Sequence, residues 1–204
     1  MRGRDSHAEG QVRPHSNLVK LCQDGVEPIP SQRTKLATGF EVRYSRAMDR
    51  DEILHVLRAF EEEGLEYVLI GAAAMGFHGI VRATEDLDLF IRATAQNVER
   101  LKRAFRRVYS DDPHVDEISS DDLLSDYPAV RYYPPSGDLY FDVMTRLGDA
   151  AAFDTVESMI VEVEGIRVWV ATPSALYRLK KATVRPLDRQ DAEALKQQFD
   201  LEEE

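Results

Sequence analysis

Tyr67-Val-Leu-Ile-Gly-Ala-Ala-Ala-Met-Gly-Phe-His-Gly-Ile-Val-Arg-Ala-Thr-Glu-Asp-Leu-Asp-Leu-Phe-Ile91 is the stretch that decides the fold. It reads as an apolar strand (Tyr67 to Ile70), a glycine turn, a short helix of small residues (Ala72 to Phe77) and a second apolar strand (Asp86 to Ile91). Asp86 and Asp88 stand two residues apart, so on a strand both side chains point to one face. Two carboxylates flanked by Leu87, Leu89, Phe90 and Ile91 are costly to place side by side unless a cation lies between them. A divalent metal meets that need. Gly71, immediately before a helix start, suits close approach of a phosphate. Metal and phosphate together point to nucleotide chemistry.

Working outward, Ile53, Leu54, Leu57 and Phe60 predict a helix that Gly64 stops. Val98, Leu101 and Val108 predict another over 95–108. Residues 110–127 are rich in Asp and Ser and read as an exposed loop or short helix. Strands are expected at 130–133 and 139–144, joined by a turn over Pro135-Ser-Gly-Asp138. A hairpin is expected at 160–163 and 166–170 around Glu164-Gly165, with Trp169 in the core. Helices over 173–183 and 188–199 close the chain. This order predicts an α+β fold, a small mixed β-sheet with helices packed on it and two C-terminal helices.

The 204 residues fit one domain with an appendage. Residues 1–47 show no sustained hydrophobic period and read as a flexible N-terminal extension; residues 48–204 form the expected domain. The extension carries a net charge of +3 and the domain −14. So acidic a body argues against broad, sequence-independent binding to nucleic acid. The basic stretches at Arg100 to Arg107 and Arg178 to Arg189 are the places a local basic groove would form, the first reading more simply as a solvated helix face. No apolar run approaches the ~20 residues of a membrane span. The one cysteine, Cys22, leaves no intramolecular disulfide and no Cys-based zinc cluster, and a cytoplasmic setting is expected. His78 has no second ligand at metal spacing and reads as a packing or capping residue.

Two-metal phosphoryl chemistry needs a further carboxylate. Asp142, mid-strand in Tyr140-Phe-Asp-Val-Met144, is the candidate, since a carboxylate in an apolar strand is unusual unless paired or metal-bound. Asp138, in the preceding turn, is a weaker choice. A buried salt bridge to an arginine is the competing reading of Asp142.

The pattern of a glycine turn, Asp-hydrophobic-Asp and a later hydrophobic-Asp-hydrophobic resembles the nucleotidyltransferase superfamily with a DNA polymerase β-like core. Ile70-Gly-Ala-Ala-Ala74, His78-Gly79, Arg82-Ala-Thr-Glu-Asp-Leu-Asp-Leu89 and the later Ala171-Thr-Pro-Ser174 and Arg185-Pro-Leu-Asp-Arg-Gln-Asp191 are most similar to the branch of AbiEii-type toxins and related small nucleotidyltransferases. The resemblance covers roughly residues 48–199. It implies a metal-dependent nucleotidyltransferase that moves an NMP from an NTP, ATP among them, to a hydroxyl on tRNA, protein or a cationic small molecule. Asp86, Asp88 and Asp142 are the implied catalytic residues and ligands of two Mg²⁺ ions, with Mn²⁺ the alternative. Gly71, Ala72, Arg82, Thr84 and Lys180 are the implied nucleotide-binding residues, and Asp188 and Asp191 cap the last helix and orient nearby arginines. A toxin role with an antitoxin protein as partner also follows from the resemblance alone.

Ala72 departs from the serine or glycine that many superfamily members carry there, leaving only a backbone N–H for the triphosphate. A non-catalytic nucleotide- or partner-binding module on the same fold is therefore the alternative. Haloacid-dehalogenase-type phosphatases fit less well, because Phe90 stands where their motif wants threonine. Asp-x-Asp glycosyltransferases need a larger nucleotide-sugar domain.

Overall fold

The structure, a computed structural model, describes residues 18–21, 50–80, 82, 84, 86–125, 128–135, 139–147 and 151–202. The strands are β1 (Leu18–Leu21), β2 (Tyr67–Ile70), β3 (Asp86–Ile91), β4 (Ala129–Tyr132), β5 (Tyr140–Met144), β6 (Ser158–Val163) and β7 (Ile166–Ala171). The helices are α1 (Arg50–Glu63), α2 (Gly71–Phe77), α3 (Ala95–Val108), α4 (Ser120–Leu124), α5 (Pro173–Lys181) and α6 (Pro186–Phe199), with short 3₁₀ turns at Pro113–Glu117 and Phe153–Thr155. From residue 50 onward this is the order expected from the sequence. The turn and short helix within 110–127 and the β6–β7 hairpin are included. Asp138 and most of residues 1–47 lie outside the described residues. Within that segment Leu18–Leu21 forms a strand that the composition did not announce, paired antiparallel with β4.

Local chemistry accounts for the element ends. Gly64, at φ +64°, ends α1 with the paired bonds Leu65 N–H to Phe60 O and Gly64 N–H to Glu61 O, a left-handed closure that favours glycine. Thr94 and Thr172 accept hydrogen bonds from the Asn97 and Ala175 amides and so cap α3 and α5. Pro173 and Pro186 occupy the first turns of α5 and α6, where a missing N–H costs nothing.

The seven strands form one mixed sheet in the order β1-β4-β5-β3-β2-β7-β6. β3 runs parallel to β5 and β2 parallel to β7; the other neighbours are antiparallel. Alternation along the strands divides the sheet into two faces. One carries Tyr67, Leu69, Leu87, Leu89, Tyr132, Phe141, Val143 and Val168, all buried. α1 and α3 cover this face. Phe105 of α3 is its hub, with ring centroids 4.8 Å from Tyr132 and Phe141 and 5.9 Å from Phe60 of α1.

The opposite face carries Asp86, Asp88 and Asp142. Trp169 is 43% exposed, which corrects its expected place in the core. The reason is the period of two: Ile166, Val168 and Val170 of β7 point into the core, so Trp169 must point away from it. No helix among the described residues is long and apolar enough to cross a membrane.

Phe105→Ala is expected to lower unfolding free energy by about 3–5 kcal/mol, the range for deleting a large buried aromatic. Urea denaturation checks this, and a loss under 1 kcal/mol would mean that the aromatic hub is not the centre of the core.

Candidate active site

β3 and β5 lie side by side in parallel register, with Asp88 opposite Asp142. Parallel neighbours at one level share a face, so the pairing brings together two carboxylates 54 positions apart in the chain. Asp86, one pleat earlier, joins them. Each of the three offers an oxygen within 4.8 Å of the others. They line a cleft of about 460 Å³ together with Gly71, Ala72, Arg82, Arg131, Lys180, Arg185 and Asp188.

The electrostatics are those of a site poised for a cation. Burial, then the negative charges of Asp86 and Asp142, push the Asp88 carboxyl up to about 7 from an ordinary value of 3.8. Lys180 and Arg131 offset this only in part. A cluster of carboxylate oxygens is the donor set that suits a hard divalent ion such as Mg²⁺ or Mn²⁺. Thr84 donates its hydroxyl to Asp86, and the Tyr140 hydroxyl lies 3.4 Å from the other Asp86 oxygen, so that carboxylate is aimed from both sides.

Gly71 is built around Asp88. Its φ is +70°, and a Cβ added there would fall 1.8 Å from an Asp88 carboxylate oxygen. The glycine is required twice, once by the backbone and once by the carboxylate lying over it. The next residue, Ala72, is buried.

Asp142 is 8% exposed and is held by Arg131 of β4, whose Nε and one terminal nitrogen each donate to a different Asp142 oxygen at 2.6 Å. The two readings of Asp142, cluster carboxylate and salt-bridge partner, therefore both describe its surroundings. The Arg131 guanidinium also lies over the Tyr140 ring, 4.7 Å from its centroid.

Lys180 and Arg82 reach the cleft as a coupled pair. Asp191 of α6 accepts from Lys180 Nζ at 2.7 Å and from Arg82 at 2.6 Å, and Asp188 accepts from Lys180 at 3.2 Å. Lys180, only 7% exposed, is thus anchored rather than free to swing. Asp191 orients an arginine, Arg82, as expected, and with Asp188 orients Lys180; neither caps α6, whose N-cap is Arg185, because both lie inside the helix.

Arg131 is the site residue that sequence reading missed, and a signal for it existed. The turn expected over Pro135-Ser-Gly-Asp138 would pair Arg131 with Asp142, and β4 and β5 have that register. A charged residue in an apolar strand, facing an aspartate in the next, is the mark of a cross-strand ion pair.

Elsewhere, His78 donates from Nε2 to the Ala171 carbonyl oxygen, 2.7 Å away, and packs edge-on against Phe199, as a structural histidine does. The basic run on α3 is neutralised: Arg100 pairs with Glu66, Arg103 with Glu63, Arg106 with Asp116, and Arg107 with Glu62 and Glu63. It is not a free stripe of positive charge.

Gly71→Ala and Gly64→Ala form a matched test. Both impose a left-handed alanine, costing roughly 1–2 kcal/mol, but space is open around Gly64 and filled by Asp88 at Gly71. Gly71→Ala is expected to cost more in chemical denaturation and to displace Asp88; equal costs would show that the carboxylate has room to move.

A family model described as nucleotidyl transferase AbiEii toxin, type IV toxin–antitoxin system, matches residues 55–201. No curated protein sequence matches significantly. Among solved structures, an antigenic nucleotidyltransferase-like protein from Paracoccidioides brasiliensis is similar at 14% identity, with a TM-score of 0.47 over 72% of this chain and 77% of that one. A protein from Thermotoga maritima described as a candidate nucleotidyltransferase aligns at 14% identity and a TM-score of 0.43, over 77% of this chain and 98% of its own. One from H. pylori, described likewise, aligns at 17% identity and 0.42, over 73% and 67%. The family match spans the glycine turn, all three clustered aspartates and the C-terminal helices, and this chain belongs to the AbiEii nucleotidyl transferase toxin family.

Proposed function

We propose that the domain from residue 48 onward is a metal-dependent nucleotidyltransferase that transfers an NMP from an NTP to a hydroxyl acceptor, with residues 1–47 as an extension to it. The observation that carries this reading is the convergence of Asp86, Asp88 and Asp142 within 4.8 Å at the floor of a cleft large enough for a nucleotide. The acceptor oxygen attacks the α-phosphorus in line; the new O–P bond forms as the bond to the α–β bridging oxygen breaks, and pyrophosphate leaves. Asp86, Asp88 and Asp142 would hold divalent ions, which when bound would supply charge neutralisation for the attacking and leaving oxygens.

The chain's own residues set the rest. Asp142 receives the proton of the acceptor hydroxyl. Thr84 and Tyr140 keep Asp86 turned toward the cleft. The backbone at Gly71 and Ala72 offers N–H groups to phosphate oxygens, and Lys180 and Arg82, held side by side by Asp191, present positive charge to the β- and γ-phosphates. The acidic body favours a protein or cationic small molecule as acceptor over extended nucleic acid, although tRNA belongs in the test. Toxicity, held in check by an antitoxin, is the biological role that family membership supports, in the cytoplasm.

A non-catalytic nucleotide-binding module is the second reading. Ala72 in place of a hydroxyl-bearing residue and the engagement of Asp142 by Arg131 favour it. Incubation with each α-labelled NTP, Mg²⁺ and a cell extract separates the two. Label on an RNA, protein or small molecule is expected with the intact protein and at least ~100-fold less with Asp86→Asn/Asp88→Asn; nucleotide binding without transfer from any NTP would favour the module. Expression in a host cell is expected to arrest growth, and Asp88→Ala to abolish the arrest.

The raised Asp88 carboxyl gives a pH signature. Its folded value near 7 exceeds the ordinary 3.8, so the protein without divalent ions is free of the ionisation penalty below pH ~4 and bears it increasingly as the pH rises through 7. A divalent ion relieves that penalty. Mn²⁺ is expected to raise Tm more at pH 8 than at pH 5.5, by an additional ~2–4 °C or more, and Asp88→Asn to remove the difference. Equal shifts at both pH values would count against Asp88 as a ligand.

A further inference from the structure

We infer that Arg131 is a resident counter-cation that withholds Asp142 from the metal until a phosphate draws the guanidinium away. The inference rests on the metal-dependent reading of the site.

Arg131 occupies both oxygens of Asp142 in a two-pronged contact, at 2.6 Å on each side. A carboxylate so engaged has its strongest acceptor directions filled, and a metal ion at Asp142 must displace at least one of those bonds. Asp86 and Asp88 are differently placed. The partners of Asp86 are the hydroxyls of Thr84 and Tyr140, which remain compatible with a cation on the carboxylate, and the Asp88 carboxylate lies over Gly71. The cluster therefore divides into an open pair, Asp86 and Asp88, and a closed member, Asp142.

Three features make Arg131 suited to exchange rather than permanent pairing. Its side chain is 27% exposed and lines the cleft, so it meets whatever enters. It rests on the Tyr140 ring, a flat face along which it can shift while keeping its cation–π contact. A guanidinium fork fits phosphate as well as it fits carboxylate, so a triphosphate offers Arg131 an equivalent partner. The other cleft cations, Lys180 and Arg82, are tied to Asp191, outside the cluster, and do not contact Asp142. Arg131 is thus a positioning residue: it couples arrival of the nucleotide to release of the third carboxylate, which limits ion loading in the absence of substrate.

The test is Mn²⁺ binding to the full chain without nucleotide, followed by calorimetry and by paramagnetic resonance, beside Arg131→Gln, Arg131→Lys and Arg131→Gln/Asp142→Asn. The wild type is expected to bind one ion at Asp86 and Asp88 and a second only weakly. Arg131→Gln should strengthen the second site by ~10-fold or more, the scale of a lost charge-assisted pair. Arg131→Lys keeps the charge without the fork and should fall between, which serves also if the glutamine variant folds poorly. The double variant, with both partners removed, should lose the gain. Equal second-site affinity in the wild type and both single variants, or a gain that survives Asp142→Asn, would overturn the role of Arg131 while leaving the metal site intact. Absence of Mn²⁺ binding in every protein would overturn the metal reading and this inference together.

Discussion

Mutual repulsion among three carboxylates is the constraint around which this molecule is arranged. Asp86, Asp88 and Asp142 converge within 4.8 Å on one face of a sheet whose other face is apolar and buried. Burial first, and then the like charges at that spacing, shift the Asp88 carboxyl toward neutrality. The surrounding cations follow from the same need. Arg131 forks onto Asp142, Lys180 approaches from α5, and Arg82 approaches from the segment between α2 and β3. Asp191 keeps those two cations together, so positive charge sits beside the carboxylates without collapsing onto them.

The hydrophobic layer makes this concentration of charge tolerable. α1 and α3 bury the core face of the sheet through Phe60, Phe105, Tyr132 and Phe141, and the central strands β2, β3 and β5 are anchored there. Stability is generated on one face and offset on the other. A charge-rich site supported by a well-packed layer is the usual relation between function and fold. Gly71 joins the two requirements at a single residue: it starts α2 in a left-handed conformation and leaves the space that the Asp88 carboxylate fills.

Charge distribution also narrows the choice of partners. The α3 arginines, which in sequence resemble a nucleic-acid-binding run, are consumed by Glu62, Glu63, Glu66 and Asp116. Arg131, Lys180, Arg82 and Arg185 line the cleft, so positive charge is gathered there beside the carboxylates.

Much of the fold was legible in the sequence because it depends on local chemistry. Apolar runs marked β2, β3 and β5, period-3.6 runs marked α1 and α3, and Gly64 marked the end of α1. The clustering of Asp86 with Asp88 needed only the strand pleat. What tertiary structure alone decided was pairing over distance. That Asp142 lies beside Asp88 depends on β5 joining β3 in parallel, that Asp191 links Lys180 to Arg82 depends on how α5 and α6 pack, and that Trp169 faces outward depends on which face the helices cover. A side chain announces its own conformational preference within a few residues of itself; which distant partner satisfies its charge is settled only when the hydrophobic core sets strand order and register.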